Sequence, residues 1–128
     1  MNMKILLIDD DEAIRKSFAL TLRDAGFHVD LAASGTQGLE CLQQHSYDLI
    51  FLDLKMPGMN GCETLFQIRK INPDIPVYII TAFHEEYLSD LERLTDKNIS
   101  FELLKKPIDS ENLIALTKSV FIEPQLIE

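Results

Sequence analysis

The 128-residue sequence has no tryptophan, two cysteines, five glycines and five prolines. Two cysteines in separate helical patterns, Cys41 and Cys62, argue against a disulfide framework or a cysteine metal site. So few glycines and prolines exclude a collagen-like or low-complexity chain. The longest aliphatic or aromatic runs have four residues, far short of a membrane span, and the first residues lack a signal-peptide pattern. We therefore expect a cytoplasmic protein that does not contact a membrane.

Positive charge is also scarce: 12 lysines and arginines stand against 21 acidic residues, for a net charge of −9. A negative field of this size repels nucleic-acid phosphates, so we expect no direct nucleic acid binding by this domain. The three histidines are scattered singly and form no zinc signature. The excess of acid therefore needs another explanation.

Short apolar runs alternate with amphipathic helical patterns along the whole chain. This order predicts an α/β fold, a doubly wound five-stranded parallel sheet with strand order 2-1-3-4-5. Asp11 and Ser34 are predicted to cap the first two helices, and Gly26 to end the first. Residues 1–121 are expected to form one domain, with 122–128 as a tail or the start of a linker. The predicted strands are Lys4–Asp9, Phe27–Leu31, Leu49–Asp53, Val77–Thr81 and Ile99–Leu104.

Polar side chains stand at the carboxyl ends of four predicted strands. Taken singly, each has an ordinary structural role as a helix cap, a strand residue or a surface charge. In this strand order, however, those ends meet at one crevice. The residues concerned are Asp9, Asp10, Asp53, Thr81 and Lys106.

Carboxylates that converge in a crevice repel one another unless a cation neutralises them. Oxygen ligands with no histidine or cysteine nearby select a hard ion, Mg²⁺ or Mn²⁺. A phosphoryl group would complete such a site, with Asp53 as the nucleophile that forms an acyl phosphate. Thr81 and Lys106 would contact the phosphoryl oxygens.

The sequence resembles the receiver domain of bacterial two-component response regulators from about Met3 to Val120. The resemblance implies that Asp9 and Asp10 hold Mg²⁺ and that Asp53 accepts the phosphoryl group. It also implies that Lys55 gives the metal a backbone carbonyl, that Thr81 is the switch hydroxyl, and that Lys106 precedes Pro107 in a cis peptide. The matching motifs are ILLIDDDEAIR (Ile5–Arg15), LIFLDLKMPGMNG (Leu49–Gly61), VYIITA (Val77–Ala82) and LLKKP (Leu103–Pro107).

The resemblance further implies a partner and an output. The phosphoryl donor is expected to be a sensor histidine kinase or a histidine phosphotransfer protein. Phosphorylated Asp53 would pull Thr81 and Lys106 inward and alter the surface of the fourth helix, fifth strand and fifth helix. A homodimer through that surface is expected, and so is the absence of turnover beyond the domain's own phosphorylation and dephosphorylation.

Two departures from the family lie on the output surface. Leu103 stands where the family often has a tyrosine or phenylalanine, and Phe101 on the same strand face is a substitute. The segment between Thr81 and Lys106 is slightly long, which predicts an atypical fourth helix or following loop. Near the site, Lys55 and Phe83 are predicted to crowd the hydrolytic water and slow loss of the phosphoryl group.

Three other functions remain open at this point. A haloacid-dehalogenase-like phosphatase would use Asp9, in an Asp-x-Asp motif, as its nucleophile. A flavodoxin-like FMN carrier shares the sheet but needs a phosphate cradle after the first strand, where this chain is acidic. A receiver fold that serves as a docking module without phosphorylation is the third.

Overall fold

The computed structural model describes residues 3–82 and 84–121, with the backbone alone at His84. Five strands alternate with five α-helices, and a short 3-10 turn, His84–Tyr87, precedes the fourth helix. The strands are β1 (Lys4–Ile8), β2 (His28–Ala32), β3 (Leu49–Asp53), β4 (Val77–Thr81) and β5 (Glu102–Lys105). The helices are α1 (Glu12–Asp24), α2 (Gly35–Gln44), α3 (Gly61–Ile71), α4 (Leu88–Asp96) and α5 (Ser110–Phe121).

All strand pairs are parallel, and the sheet order is β2-β1-β3-β4-β5, which confirms the predicted fold class. Every residue of β3 is buried, and four of the five residues of β1 are. Near-continuous apolar runs are typical of strands covered by helices on both faces. The scarcity of polar residues in β1 and β3 is therefore the reason that helices cover both faces of the sheet.

The two faces of the sheet form two separate cores. Alternate strand residues point to opposite faces, so Leu6 and Ile8 join one core while Ile5 and Leu7 join the other. The first core packs against α2, α3 and α4, and the second against α1 and α5. Phe51 lies in the second core, where its ring centroid is 5.9 Å from that of Phe18.

Local capping signals in the sequence agree with the structure. The Asp11 carboxylate accepts hydrogen bonds from two backbone amides of α1, and the Ser34 hydroxyl caps α2. Gly26 has φ +97°, the left-handed conformation predicted after a helix. The Lys106–Pro107 peptide is cis, as the family resemblance implies.

The region after α4 differs from its prediction. The strand β5 was expected to begin at Ile99 but begins at Glu102. The reason is that Ile99 is hydrogen-bonded to the end of α4. Asn98 has φ +60°, and the Ile99 amide donates to the Leu94 carbonyl at 2.9 Å, as in a Schellman motif. Ile99 packs against the first core without being in a strand.

Smaller differences concern strand ends and helix faces. β1 ends at Ile8, so Asp9 is outside the strand, and β2 is shifted by one residue. Leu20 and Ile71 follow the helical patterns but are 65% and 43% exposed, because each lies beyond the edge of its helix's buried face. Among the described residues, no helix combines the length and apolar character needed to cross a membrane. The predicted tail, 122–128, lies outside the described residues.

Candidate functional site

Parallel pairing brings the predicted polar residues to the carboxyl end of the sheet. Ile8 pairs with Leu52, so the next residues, Asp9 and Asp53, lie side by side. On the other side of β3, Asp53 pairs with Ile80, and Thr81 follows. Pairing of Thr81 with Lys105 then places Lys106 at the same edge. A cleft of about 210 Å³ there is lined by Asp9, Asp10, Asp11, Ile14, Asp53, Lys55, Thr81, Ala82 and Lys106.

Three carboxylates meet in this cleft. One oxygen from each of Asp9, Asp10 and Asp53 lies within 4.8 Å of the others. Asp9 and Asp53 are buried, at 0% and 6% exposure, whereas Asp10 is exposed. Closely spaced carboxylate oxygens with one open side suit a hard divalent cation that keeps some of its water. The donor set therefore fits Mg²⁺.

Lys106 provides the positive charge closest to these carboxylates. Its Nζ is 3.1 Å from Asp53 Oδ1 and 3.3 Å from Asp9 Oδ2. Burial disfavours the charged ammonium, but the two carboxylates outweigh that effect and raise the pKa of Lys106. The lysine therefore remains charged and joins two strand ends that would otherwise repel each other.

One ammonium does not neutralise the cluster. Burial first, and then the nearby Asp9 carboxylate, raise the pKa of Asp53 to about 7, against the attraction of Lys106. The pKa of Asp9 is also raised, mainly by burial, although the Asp11 amide donates to its Oδ1 at 2.9 Å. Both carboxylates thus carry an unfavourable charge that a cation at the cleft would relieve.

The turn after β3 approaches the site closely, as its glycines predict. A Cβ on Gly61 would lie 2.5 Å from the Asp53 carbonyl oxygen and 2.7 Å from Leu54 Cα, so only glycine fits. Gly58 has φ +75°. Asn60 then caps α3 in a capping box with Glu63, a signal that the sequence contained as Asn-x-x-Glu.

The other predicted residues take different positions. Thr81 is buried beside the cleft, and its Cα neighbour across the sheet is Lys105. The Lys55 ammonium lies 3.6 Å from a carboxylate oxygen of Glu86, and most of its side chain is exposed. Phe83, predicted with Lys55 to crowd the hydrolytic water, lies outside the described residues.

On the surface of α4 and β5, Leu103 is 39% exposed and Leu88 is 52% exposed. Phe101 was expected on the same strand face as Leu103, but it precedes β5 and packs against the first core. Phe101 and Leu103 nevertheless line the same groove beside α4, so Phe101 as a substitute for the usual aromatic residue stays a prediction.

One residue near the site was missed in the sequence. Arg15 donates from Nη1 to the main-chain carbonyl of Asp9 at 2.8 Å. Its acceptor is a backbone group, which every residue has, so residue identities alone do not reveal the contact.

Comparison with known proteins gives consistent relatives. The transcriptional regulatory protein ZraR of Escherichia coli O157:H7 is 35% identical over 129 residues, which cover 99% of this chain and 28% of that protein. A CpxR homolog of Haemophilus influenzae is 36% identical over 118 residues, covering 91% of this chain and 49% of that protein. The chain thus spans about a quarter to a half of the length of these relatives.

Solved structures and a family model agree with these relatives. The chemotaxis protein CheY4 of Vibrio cholerae superposes with a TM-score of 0.82 at 28% identity, covering 94% of this chain and 100% of that one. The model of the response regulator receiver domain matches residues 5–118. With the predicted strand order and the acidic cleft both present, this chain belongs to the response regulator receiver domain family of two-component systems.

Proposed function

We propose that this receiver domain accepts a phosphoryl group on Asp53 from the phosphohistidine of a sensor histidine kinase or a histidine phosphotransfer protein. The observation that carries the proposal is the position of Asp53. Its carboxylate is buried at the end of a central strand, 3.1 Å from the Lys106 ammonium and beside two further carboxylates. A buried carboxylate at an open cleft, with an ammonium beside it and a cation site next to it, is suited to act as a nucleophile toward a phosphoryl group.

The transfer needs little covalent chemistry from the protein. An Asp53 carboxylate oxygen attacks phosphorus, the new P–O bond forms, and the P–N bond to the imidazole breaks with its electron pair going to the leaving nitrogen. The attacking carboxylate must be ionised, and the Lys106 ammonium favours that form. The Lys106 ammonium and the Thr81 hydroxyl would contact the phosphoryl oxygens.

Asp9, Asp10 and Asp53 would hold Mg²⁺, with the Lys55 backbone carbonyl as a further ligand. When bound, Mg²⁺ would supply positive charge against both the carboxylates and the incoming phosphoryl group. Mn²⁺ would substitute, since its ligand preferences are similar.

The proposed output is a change of the surface formed by α4, β5 and α5. Thr81 and Lys106 flank Asp53 at the cleft, and each is followed by chain that leads into this surface. Movement of the two side chains toward a phosphorylated Asp53 would shift the equilibrium between two arrangements of the surface. A homodimer through it is one proposed consequence, and the domain would carry out no turnover beyond its own phosphorylation cycle.

Two further proposals concern the chain as a whole. We place the domain at 1–121 and the tail or linker at 122–128, in a protein that acts in the cytoplasm. The net charge of −9 supports signalling through protein contacts and opposes direct binding to nucleic acid by this domain.

The test is labelling of Asp53 by acetyl phosphate with Mg²⁺, read by intact-protein mass spectrometry. Asp53→Asn removes the nucleophilic oxygen and should abolish the label. Asp48→Asn is the matched control, because Asp48 lies just before the other end of β3, and it should be labelled like the wild type.

Undiminished labelling of Asp53→Asn would overturn the proposal. Steady hydrolysis of phosphate monoesters, retained in Asp53→Asn and lost in Asp9→Asn, would instead support the phosphatase alternative. A chain that folds, binds Mg²⁺ and takes no label from any donor would support the docking module.

A further inference from the structure

The backbone of Asp9 leaves the sheet at the point where its side chain enters the cleft. The Asp9 amide still donates to the Ala32 carbonyl at 3.1 Å, as a continuation of the ladder with β2. Its carbonyl does not continue the ladder and instead accepts the guanidinium of Arg15 at 2.8 Å. Asp9 is fully buried, so without Arg15 this carbonyl would lack the partner that buried backbone groups need.

The bonded carbonyl belongs to the peptide that joins Asp9 to Asp10. That peptide is planar, so fixing the direction of the Asp9 oxygen also fixes the direction of the Asp10 nitrogen. Both residues contribute a carboxylate to the cluster with Asp53. One hydrogen bond from α1 thus orients the peptide between Asp9 and Asp10, which carry two of the three carboxylates.

Arg15 acts on the main chain rather than on a carboxylate. The cationic partner of the Asp9 side chain is Lys106, at 3.3 Å, and the other contact of that side chain is the Asp11 amide. The Arg15 guanidinium, by contrast, donates to the main-chain carbonyl of Asp9. Its expected contribution is therefore geometric.

We propose that Arg15 is a positioning residue, which holds the Asp9–Asp10 peptide so that the two carboxylates converge with Asp53 on a divalent cation. This inference rests on the proposed function of the cleft. Groups that orient metal ligands commonly affect metal affinity by about tenfold or more.

The chain contains a matched control on the same helix. Arg23, in the last turn of α1, donates from Nη2 to the main-chain carbonyl of Val29 at 2.6 Å. Each arginine thus reaches a backbone carbonyl six residues away in the sequence. Arg15 bonds at the cleft, whereas Arg23 bonds to β2 near its amino end. The two arginines therefore make the same type of hydrogen bond at different positions.

The experiment measures the affinity for Mn²⁺ and for Mg²⁺ by isothermal titration calorimetry, with melting followed by circular dichroism. Arg15→Met and Arg23→Met keep the long aliphatic stem and the helix propensity while removing the donor. We expect Arg15→Met to weaken Mn²⁺ binding about tenfold and Arg23→Met to leave it within about twofold. Arg15→Lys, which keeps one donor and the charge, should recover most of the lost affinity.

The sign of the effect separates geometry from charge. If Arg15 acted only as a nearby positive charge, its removal would reduce repulsion of the cation and tighten binding. Tighter binding in Arg15→Met, or equal affinities in the two methionine variants, would overturn the role of Arg15 while leaving the proposed function intact. A wild-type chain that binds neither cation would overturn both. If Arg15→Met does not fold, the test uses Arg15→Lys instead. A loss of Mn²⁺ affinity of about tenfold or more in Arg15→Lys would then count against the proposal.

Discussion

Charged residues in two regions of the sheet have opposite surroundings. At the carboxyl edge, Asp9 and Asp53 face each other, and burial raises the pKa of both carboxyls. Away from this edge, in the middle of β2, Asp30 accepts the Tyr47 hydroxyl at 2.6 Å, and this hydrogen bond lowers the pKa of Asp30. The same residue type is thus strained at the carboxyl edge and stabilised within β2.

Arg69 shows how the amino edge of the sheet differs from the carboxyl edge. The Arg69 guanidinium donates to the carbonyls of Ile75 at 2.6 Å and Ser100 at 2.7 Å, and more weakly to that of Asn72. It therefore joins the end of α3 to the segments that lead into β4 and β5. The Arg69 guanidinium thus donates to neutral carbonyls, which is typical of a structural role. The carboxyl edge is left with unbalanced acid, as a binding site requires.

The largest predicted effect concerns the carboxyl edge and pH. Asp53 has a pKa of about 7 in the folded protein against an ordinary value of 3.8, so the folded state retains a proton that the unfolded state has lost. Stability of the metal-free protein should therefore fall as pH rises from 4 to 7, by about 2–4 kcal/mol between pH 5 and pH 8. Urea unfolding in EDTA measures this, and Asp53→Asn should remove most of the fall.

Addition of Mg²⁺ at pH 8 should restore stability to the wild type and not to Asp53→Asn. Equal stability of the wild type at the two pH values would show that the carboxyl edge is not strained, and the contrast between the two edges would be lost.

An intermediate effect is expected at the amino edge. Arg69→Met removes the hydrogen bond to the carbonyl of buried Ile75 and the exposed one to Ser100, and should lower the free energy of unfolding by about 2 kcal/mol. Labelling of Asp53 should change less than twofold, because Arg69 lies at the opposite end of the sheet. Arg93→Met is the control: its ion pair with Asp90 is 3.5 Å long and its own side chain is 71% exposed, so stability should change by less than about 0.5 kcal/mol. Loss of labelling in Arg69→Met would mean that the two edges are coupled.

The smallest effect should come from Tyr47→Phe, which removes the hydroxyl bonded to Asp30. We expect a loss of about 1 kcal/mol at pH 7. The pKa of Asp30 is lowered on folding, so this contribution is present above its ordinary pKa and disappears as pH falls through the folded value. Stabilities of Tyr47→Phe and the wild type should therefore converge as pH falls below 3.8, the ordinary pKa of Asp30. Tyr78→Phe is a control without this carboxylate contact, and a similar pH dependence there would contradict the assignment.

Much of the fold could be predicted because the decisive signals are local. The bounds of β3 and β4 coincide with apolar runs, and Asp11 and Ser34 cap helices within their own turns. The start of β5 was not predictable in this way. Ile99 is apolar like a strand residue, but a left-handed Asn98 and a hydrogen bond to Leu94 attach it to the end of α4.

The candidate site also has features set by local sequence and features set by contacts between distant residues. The sequence by itself determined which polar residues gather, because the carboxyl ends of parallel strands share an edge and those residues follow the apolar runs directly. Only the tertiary structure decided how strained the carboxylates are, since the pKa of Asp53 depends on burial and on Asp9, 44 positions away in the chain. It also decided that Arg15 and Arg69 bind main-chain carbonyls. Every residue has a carbonyl, so the choice of acceptor depends on which backbone folding leaves buried without a partner.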